Sequence, residues 1–187
     1  PDAGITEYTY DPAGNLTSES NGLGQIDYRY RFNRLAWKCY SGIVENQVKY
    51  LYGTTGNARG RLFKIVDGTG ERTMQYDALG NVTREERIIA IPGLQDMYPF
   101  VTQYSYDSWG RVRTITYPDN EVVTYIYAYG GDLCAMYGDK GSEHHKYIDT
   151  ILYNEFGQRS RIKYGNGTYS NYSYDALHRL GDLTSGC

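Results

Sequence analysis

A tyrosine-centred motif returns eight times along this 187-residue chain, and its return decides what the chain can fold into. The best copies follow Y-x-Y-D-x-x-G-[N/R]-[L/V]: Tyr8 to Leu16, Gln75 to Val82, Tyr104 to Val112 and, with His in the Gly position, Tyr172 to Leu180. Degraded copies begin near Tyr30, Tyr52, Tyr127 and Tyr153. With the second tyrosine as marker, the copies stand at 10, 30, 52, 76, 106, 127, 153 and 174, in steps of 20 to 30 residues. A period of that size belongs to stacked supersecondary units, none of which can bury a face alone. The internal likeness is strongest where Tyr106 to Tyr127 overlays Tyr153 to Tyr174 at a fixed offset of 47 without a gap. Gly110 then meets Gly157, Trp109 meets Phe156, Ile115 meets Ile162 and Tyr125 meets Tyr172.

Each copy opens on alternating Tyr-x-Tyr and continues beyond the Gly into segments such as Val112 to Tyr117 (VRTITY), rich in β-branched and aromatic residues. That is strand composition with a period of two. Between the strands, Asp11, Asp77, Asp107 and Asp175 stand at the first turn position, where a carboxylate accepts backbone hydrogen bonds. Gly14, Gly80 and Gly110 stand where the turn needs a positive φ. A second reversal in each unit, such as Pro118-Asp119-Asn120 or Gly165-Asn166-Gly167, has turn chemistry as well. Two strands per unit, at about 3.3 Å per residue, predict about sixteen antiparallel strands of roughly seven to nine residues. No amphipathic stretch is long enough for a helix of twelve or more residues. Thr83 to Ile91 (TREERIIAI) reads equally as a strand extension or a single helical turn before Pro92.

These residues resemble the YD repeat of the Rhs family, found in bacterial Rhs and wall-associated proteins, insecticidal toxin complexes and animal teneurins. The resemblance covers essentially the whole chain. It implies an all-β fold of repetitive antiparallel hairpins forming a curled or spiral sheet, a section of an Rhs-type β-shell. It also implies a place outside the bacterial cell, secreted or at the cell surface, and a non-enzymatic role in enclosing or displaying a C-terminal, toxin-like passenger. The autoproteolytic core segment of the family is not recognisable here: Asp11-Pro12-Ala13-Gly14 superficially resembles its D-P-x-G but lies inside an ordinary repeat turn. The chain reads as one array of about eight units, residues 1–187, excised from a larger protein. Its partners are then neighbouring segments of the same protein, an encapsulated polypeptide or a cell-surface glycan, and its open edge strands make self-association of the fragment an expectation.

Tyr contributes 22 residues against 4 Phe and 2 Trp, so the aromatic surface is almost wholly amphipathic. Tyrosines at alternate positions share one face of a sheet and build cross-strand ladders. The alternative is a carbohydrate-binding or adhesion module, with Tyr106, Trp109, Tyr125, Tyr127, Tyr172 and Tyr174 as platforms for sugar rings. The net charge of −3 arises from 19 basic and 22 acidic residues mixed along the chain, which leaves no basic stripe for nucleic acid and no run long enough for membrane insertion. Three cysteines, without C-x-x-C spacing, read as incidental thiols, and His144 beside His145 reads as solvated rather than metal-ligating. Glycines fall at repeat turns rather than opening a helix, and acids are the turn residues themselves, so no cofactor and no catalytic constellation are expected. Two irregularities interrupt the period: an apolar insertion at 85–101 and a polar one at 130–150, the latter read as a hairpin tip.

Overall fold

The computed structural model of the chain describes residues 4–40, 47–91 and 98–187. Sixteen strands run through them. The first eight are β1 (Glu7–Tyr10), β2 (Leu16–Asn21), β3 (Gly24–Arg31), β4 (Arg34–Tyr40), β5 (Gln47–Tyr52), β6 (Leu62–Asp67), β7 (Gly70–Tyr76) and β8 (Val82–Ile89). The second eight are β9 (Tyr98–Tyr106), β10 (Val112–Thr116), β11 (Val122–Tyr127), β12 (Leu133–Lys140), β13 (Glu143–Tyr153), β14 (Arg159–Tyr164), β15 (Tyr169–Tyr174) and β16 (Leu180–Gly186). One 3₁₀ turn at Gly56–Ala58 is the single helical element among the described residues. The all-β, antiparallel hairpin architecture implied by the motif is therefore the observed one.

The chain divides into two compact units, Pro1–Val101 and Thr102–Cys187. Within the first, β1 to β8 form a meander in which each strand pairs antiparallel with its chain neighbours. Within the second, β9 to β16 do the same. Strand lengths run from four residues in β1 to eleven in β13, a wider spread than seven to nine. The longest strand, β13, comes from the polar insertion. Thr83 to Ile91 resolves as strand, since β8 reaches Ile89, while residues 92–97 of the apolar insertion lie outside the described residues. The polar insertion is strand nearly to its tip, β12 ending at Lys140 and β13 opening at Glu143, with pairing that continues through Asp139–His144 to Lys140–Glu143.

The core is thin. Cys39, Val123, Ala135, Ile151 and Ile162 are its buried apolar side chains among the described residues. In the second unit Ile151, Ile162 and Ser170 stand opposite one another across β13, β14 and β15, and Tyr125, Met136, Ile148 and Tyr164 form a parallel row from β11 to β14. Such rows are what stabilise a sheet with little covering it, each cross-strand pair contributing roughly 0.2–1 kcal/mol. Tyrosine suits the rows because its ring packs while its hydroxyl can reach a polar group.

Candidate functional site

The site that recurs is the edge of each unit where the motif turns lie. At Asp107 the backbone closes a tight loop: the Gly110 N–H donates to the Asp107 carbonyl (3.0 Å), and the Asp107 N–H donates to the Arg111 carbonyl (3.0 Å). Gly110 holds φ +76°, a left-handed conformation that costs an L-residue roughly 1–2 kcal/mol. These bonds make the turn a three-residue hairpin with a glycine bulge at Gly110, and the pairing register slips by a further residue beyond it, between Val112 and Thr114, where Arg113 is the extra residue. Gly14 (+83°) and Gly80 (+94°) repeat this, and His178 (+60°) does so without being glycine.

The aspartate ties the loop from inside. Asp107 Oδ1 accepts the N–H groups of Trp109 (2.9 Å) and Arg111 (3.0 Å), while Oδ2 accepts Arg111 Nε (2.7 Å). Asp11 accepts Ala13 N (2.9 Å), Asn15 N (2.8 Å) and Asn15 Nδ2 (2.9 Å). Asp77 accepts Asn81 N (2.8 Å) and Nδ2 (2.9 Å), and Asp175 accepts Leu177 N, Arg179 N and Arg179 Nε at 2.8–2.9 Å. Hydrogen bonding to the charged form lowers a carboxyl pKa. In Asp11 and Asp77 the Asn side chain is the main cause of that lowering, and in Asp175 the Arg179 backbone is. At Asp107 burial pushes hardest and upward, but the bonds from Arg111 and Trp109 together outweigh it and the pKa is lowered.

Two further contacts join many of the turns to the next, and neither is apparent from the motif. The residue after the left-handed turn position, which is Asn33, Gly110, Gly157 or Gly14, reaches forward: Arg34 Nη1 donates to the Gly60 carbonyl (2.8 Å), Arg111 Nη1 to Gly131 (2.9 Å), Gln158 Nε2 to His178 (2.8 Å), and Asn15 Nδ2 to Asn33 Oδ1 (2.6 Å). The marker tyrosine reaches back. Tyr52, Tyr127, Tyr153 and Tyr174 donate their hydroxyls to the carbonyls of Leu35, Val112, Leu133 and Arg159 at 2.8–3.0 Å, and Tyr76 donates likewise to Leu62. Each acceptor is the first or, for Leu35, the second residue of the strand after the preceding motif turn. The arginine arm also lies over the tyrosine ring of the next copy, Arg111 over Tyr127 at 4.1 Å and Arg34 over Tyr52 at 5.4 Å. The signal available in the sequence was the donor-bearing side chain, Asn, Arg or Gln, immediately after the turn.

Of the candidate sugar platforms, Trp109 is 68% exposed and leans over Arg111, 4.6 Å from the guanidinium. Tyr106, Tyr125, Tyr127, Tyr172 and Tyr174 are half-buried. Arg111 gathers Trp109 and Tyr127 around it, Tyr172 and Tyr174 line a separate groove beside Phe156, and Tyr125 belongs to the Met136–Ile148–Tyr164 row. The six are thus distributed rather than convergent. His144 pairs with Asp139 (2.6 Å) and stacks on Tyr137, while His145 faces Glu143 (3.3 Å).

No protein-family model matches the chain. Two curated relatives do: "Probable deoxyribonuclease RhsA" and "Probable deoxyribonuclease RhsB" of Dickeya dadantii (strain 3937) are 29% and 28% identical over 152 residues. The matches cover 76% of this chain and 10% of each relative. The repeats of the chain are similar to segments of these Rhs proteins. The chain spans about a tenth of the length of these Rhs relatives, so the activity in their names concerns proteins mostly outside the matched segment. The same strand arrangement occurs in solved structures titled TcdB2-TccC3-Cdc42 and TcdB2-TccC3 without its hypervariable C-terminal region, each at TM-score 0.82 and 18% identity over 98% of the chain. A Photorhabdus luminescens Tc holotoxin pore gives TM-score 0.82 at 19% identity, and the chain covers 10% of each of the three.

Proposed function

We propose that this Rhs-repeat segment is a wall: a non-enzymatic, secreted or cell-surface section of a larger shell that encloses or displays a following polypeptide. The observation that carries the reading is the turn-to-turn clasp, in which the arms of Arg34, Arg111 and Gln158 and the tyrosines Tyr52, Tyr76, Tyr127, Tyr153 and Tyr174 bond to the neighbouring copy. A chain built this way invests its polar chemistry in holding its own repeats together. The likeness to a segment within the TcdB2-TccC3 complex, covering nearly the whole chain, supports the same reading. β1 and β16 are exposed along almost their full length, and an edge of unpaired backbone groups suits a neighbouring segment of the same protein.

The test is protease protection in the full-length protein. The polypeptide that follows the repeats should resist digestion in the intact protein and become sensitive when Gly110 and Gly157 are both replaced by Val. Digestion from the outset, or equal protection in the variant, would refute the wall. Light scattering on the isolated chain should give a species larger than the monomer if the edges seek neighbours.

A second reading, glycan adhesion, draws on the exposure of Trp109. A glycan array giving signal that Trp109→Ala removes would support it, and an empty array would end it.

A further inference from the structure

Two depressions, one in each unit, occupy equivalent places between successive motif turns, and their linings correspond position for position. In the first unit, Phe32, Arg34 and Ala36 face Tyr50, Leu51 and Tyr52. In the second, Phe156, Gln158 and Ser160 face Tyr172, Ser173 and Tyr174. The marker tyrosine closes both, Tyr52 on the Leu35 carbonyl and Tyr174 on that of Arg159. The groove is therefore a product of the repeat, while its chemistry is set by residues the repeat leaves free to vary.

That chemistry differs between the two. The second groove is lined by Glu155, Asp175 and His178 besides its aromatics, and is acidic and polar. The first is lined by Arg31 and Arg34 with Phe32, Leu51 and Phe63, and no carboxylate lines it. Arg34 is engaged by the Gly60 carbonyl and the Tyr52 ring. Arg31 rests over the Phe32 ring at 5.4 Å, and among the described residues its guanidinium makes no hydrogen bond or ion pair, so its planar donor fork is available. Beside it, Phe32 is 87% and Leu51 40% exposed, an apolar surface left uncovered next to an unpaired cation. In a chain with net charge −3, acids are plentiful, yet none is placed to neutralise this groove.

We infer that the groove between Arg31 and Tyr52 binds a short acidic peptide segment. A carboxylate of that segment sits on the Arg31 guanidinium, and a neighbouring apolar or aromatic side chain lies on Phe32, Leu51 and Phe63. The volume, about 360 Å³, is near the lower bound for ligand pockets and takes one such side chain with the backbone running out on either side. Charge complementarity selects a peptide carboxylate over a neutral sugar, which would leave Arg31 unmatched. This assignment is independent of the wall reading and stands or falls separately.

The experiment is fluorescence anisotropy on the purified chain with labelled heptapeptides centred on Asp-Phe-Glu, Asn-Phe-Gln and Lys-Phe-Lys. The acidic peptide should bind saturably and more weakly as salt is added, and the other two should not bind. Arg31→Gln should weaken binding about tenfold or more, in keeping with the loss of a charge-assisted hydrogen bond, and Phe32→Ser should weaken it as well. Phe156→Ser, in the equivalent groove, should leave it unchanged. Arg31→Glu should exchange the preference, binding Lys-Phe-Lys and releasing Asp-Phe-Glu, an outcome that partial unfolding cannot imitate. Equal binding of the neutral peptide, indifference to Arg31→Gln, or no saturable binding of any peptide would overturn the proposal.

Discussion

The turns at Asp107–Arg111 and Asn154–Gln158 are the same object built from different chemistry. Each closes with an N–H from the fourth residue to the first carbonyl, at 3.0 Å in both, and each has a glycine at nearly equal φ, +76° and +71°. In the first, a carboxylate takes the N–H groups of Trp109 and Arg111 and pairs with a guanidinium at 2.6 Å. In the second, the Asn154 side-chain oxygen takes the N–H groups of Phe156 (3.1 Å) and Gln158 (2.9 Å), and its amide donates to Gln158 Oε1 (3.0 Å). Both arms then reach the carbonyl of the next turn. The geometry is set by an oxygen two side-chain carbons away from the backbone and a donor four residues later. Charge is an addition to it.

Breaking the shared feature should have the largest effect. Replacing Gly110 or Gly157 by Val should destabilise the chain by about 2 kcal/mol in either case, seen in denaturant melts, because a β-branched residue resists the left-handed region. A Cβ would meet nothing within 4 Å at either position, so backbone strain alone accounts for the loss. An unchanged midpoint for either variant would remove the bulge from the account. The converse holds at His178, φ +60°, where His178→Gly should raise stability by up to about 1 kcal/mol.

Next come the tyrosine clasps. Tyr127→Phe removes a part-buried hydroxyl from the Val112 carbonyl and should lower stability by about 1 kcal/mol, and Tyr174→Phe, whose bond is exposed, by less. Equal melting of both variants with the parent would mean that water replaces the clasp at no loss.

A smaller difference should separate the two turns by pH. The lowered pKa of Asp107 means that its bonds stabilise the fold above the unfolded carboxylate value, about 3.9, and that this contribution is lost as pH falls through the folded value. Asn154 has no such dependence. Converting one turn into the other with Asp107→Asn and Arg111→Gln should therefore flatten part of the acid limb of a stability-versus-pH curve while changing neutral stability little. A limb of unchanged slope would show that Asp107 is not among its sources. The smallest effect belongs to Trp109→Ala, within about 0.5 kcal/mol in a thermal melt because the ring is mostly exposed, which keeps it usable as a binding probe.

Read residue by residue, the gap-free overlay at offset 47 already aligned Asp107 with Asn154 and Gly110 with Gly157, and the structure gives both pairs one geometry. The polar insertion was harder: His144 and Lys146 look like loop residues, yet they pair with Asp139 and Tyr137 in an extended β12–β13 hairpin. Polarity there reflects two solvated faces rather than an absence of strand. Ile91 and Phe100, in the apolar insertion, are about half exposed, which the run of apolar residues does not disclose.

By itself the sequence determined the period, the strands and the motif turns, because their causes act within five residues: alternation, a carboxamide or carboxylate at the first turn position, a left-handed residue at the fourth. The tertiary structure alone decided which carbonyl each tyrosine meets, where each arm ends and which grooves open between turns. Those partners lie fourteen to twenty-six residues away. They meet only because a one-residue bulge at each motif turn fixes the register between neighbouring strands, and register belongs to the assembled sheet rather than to any single repeat.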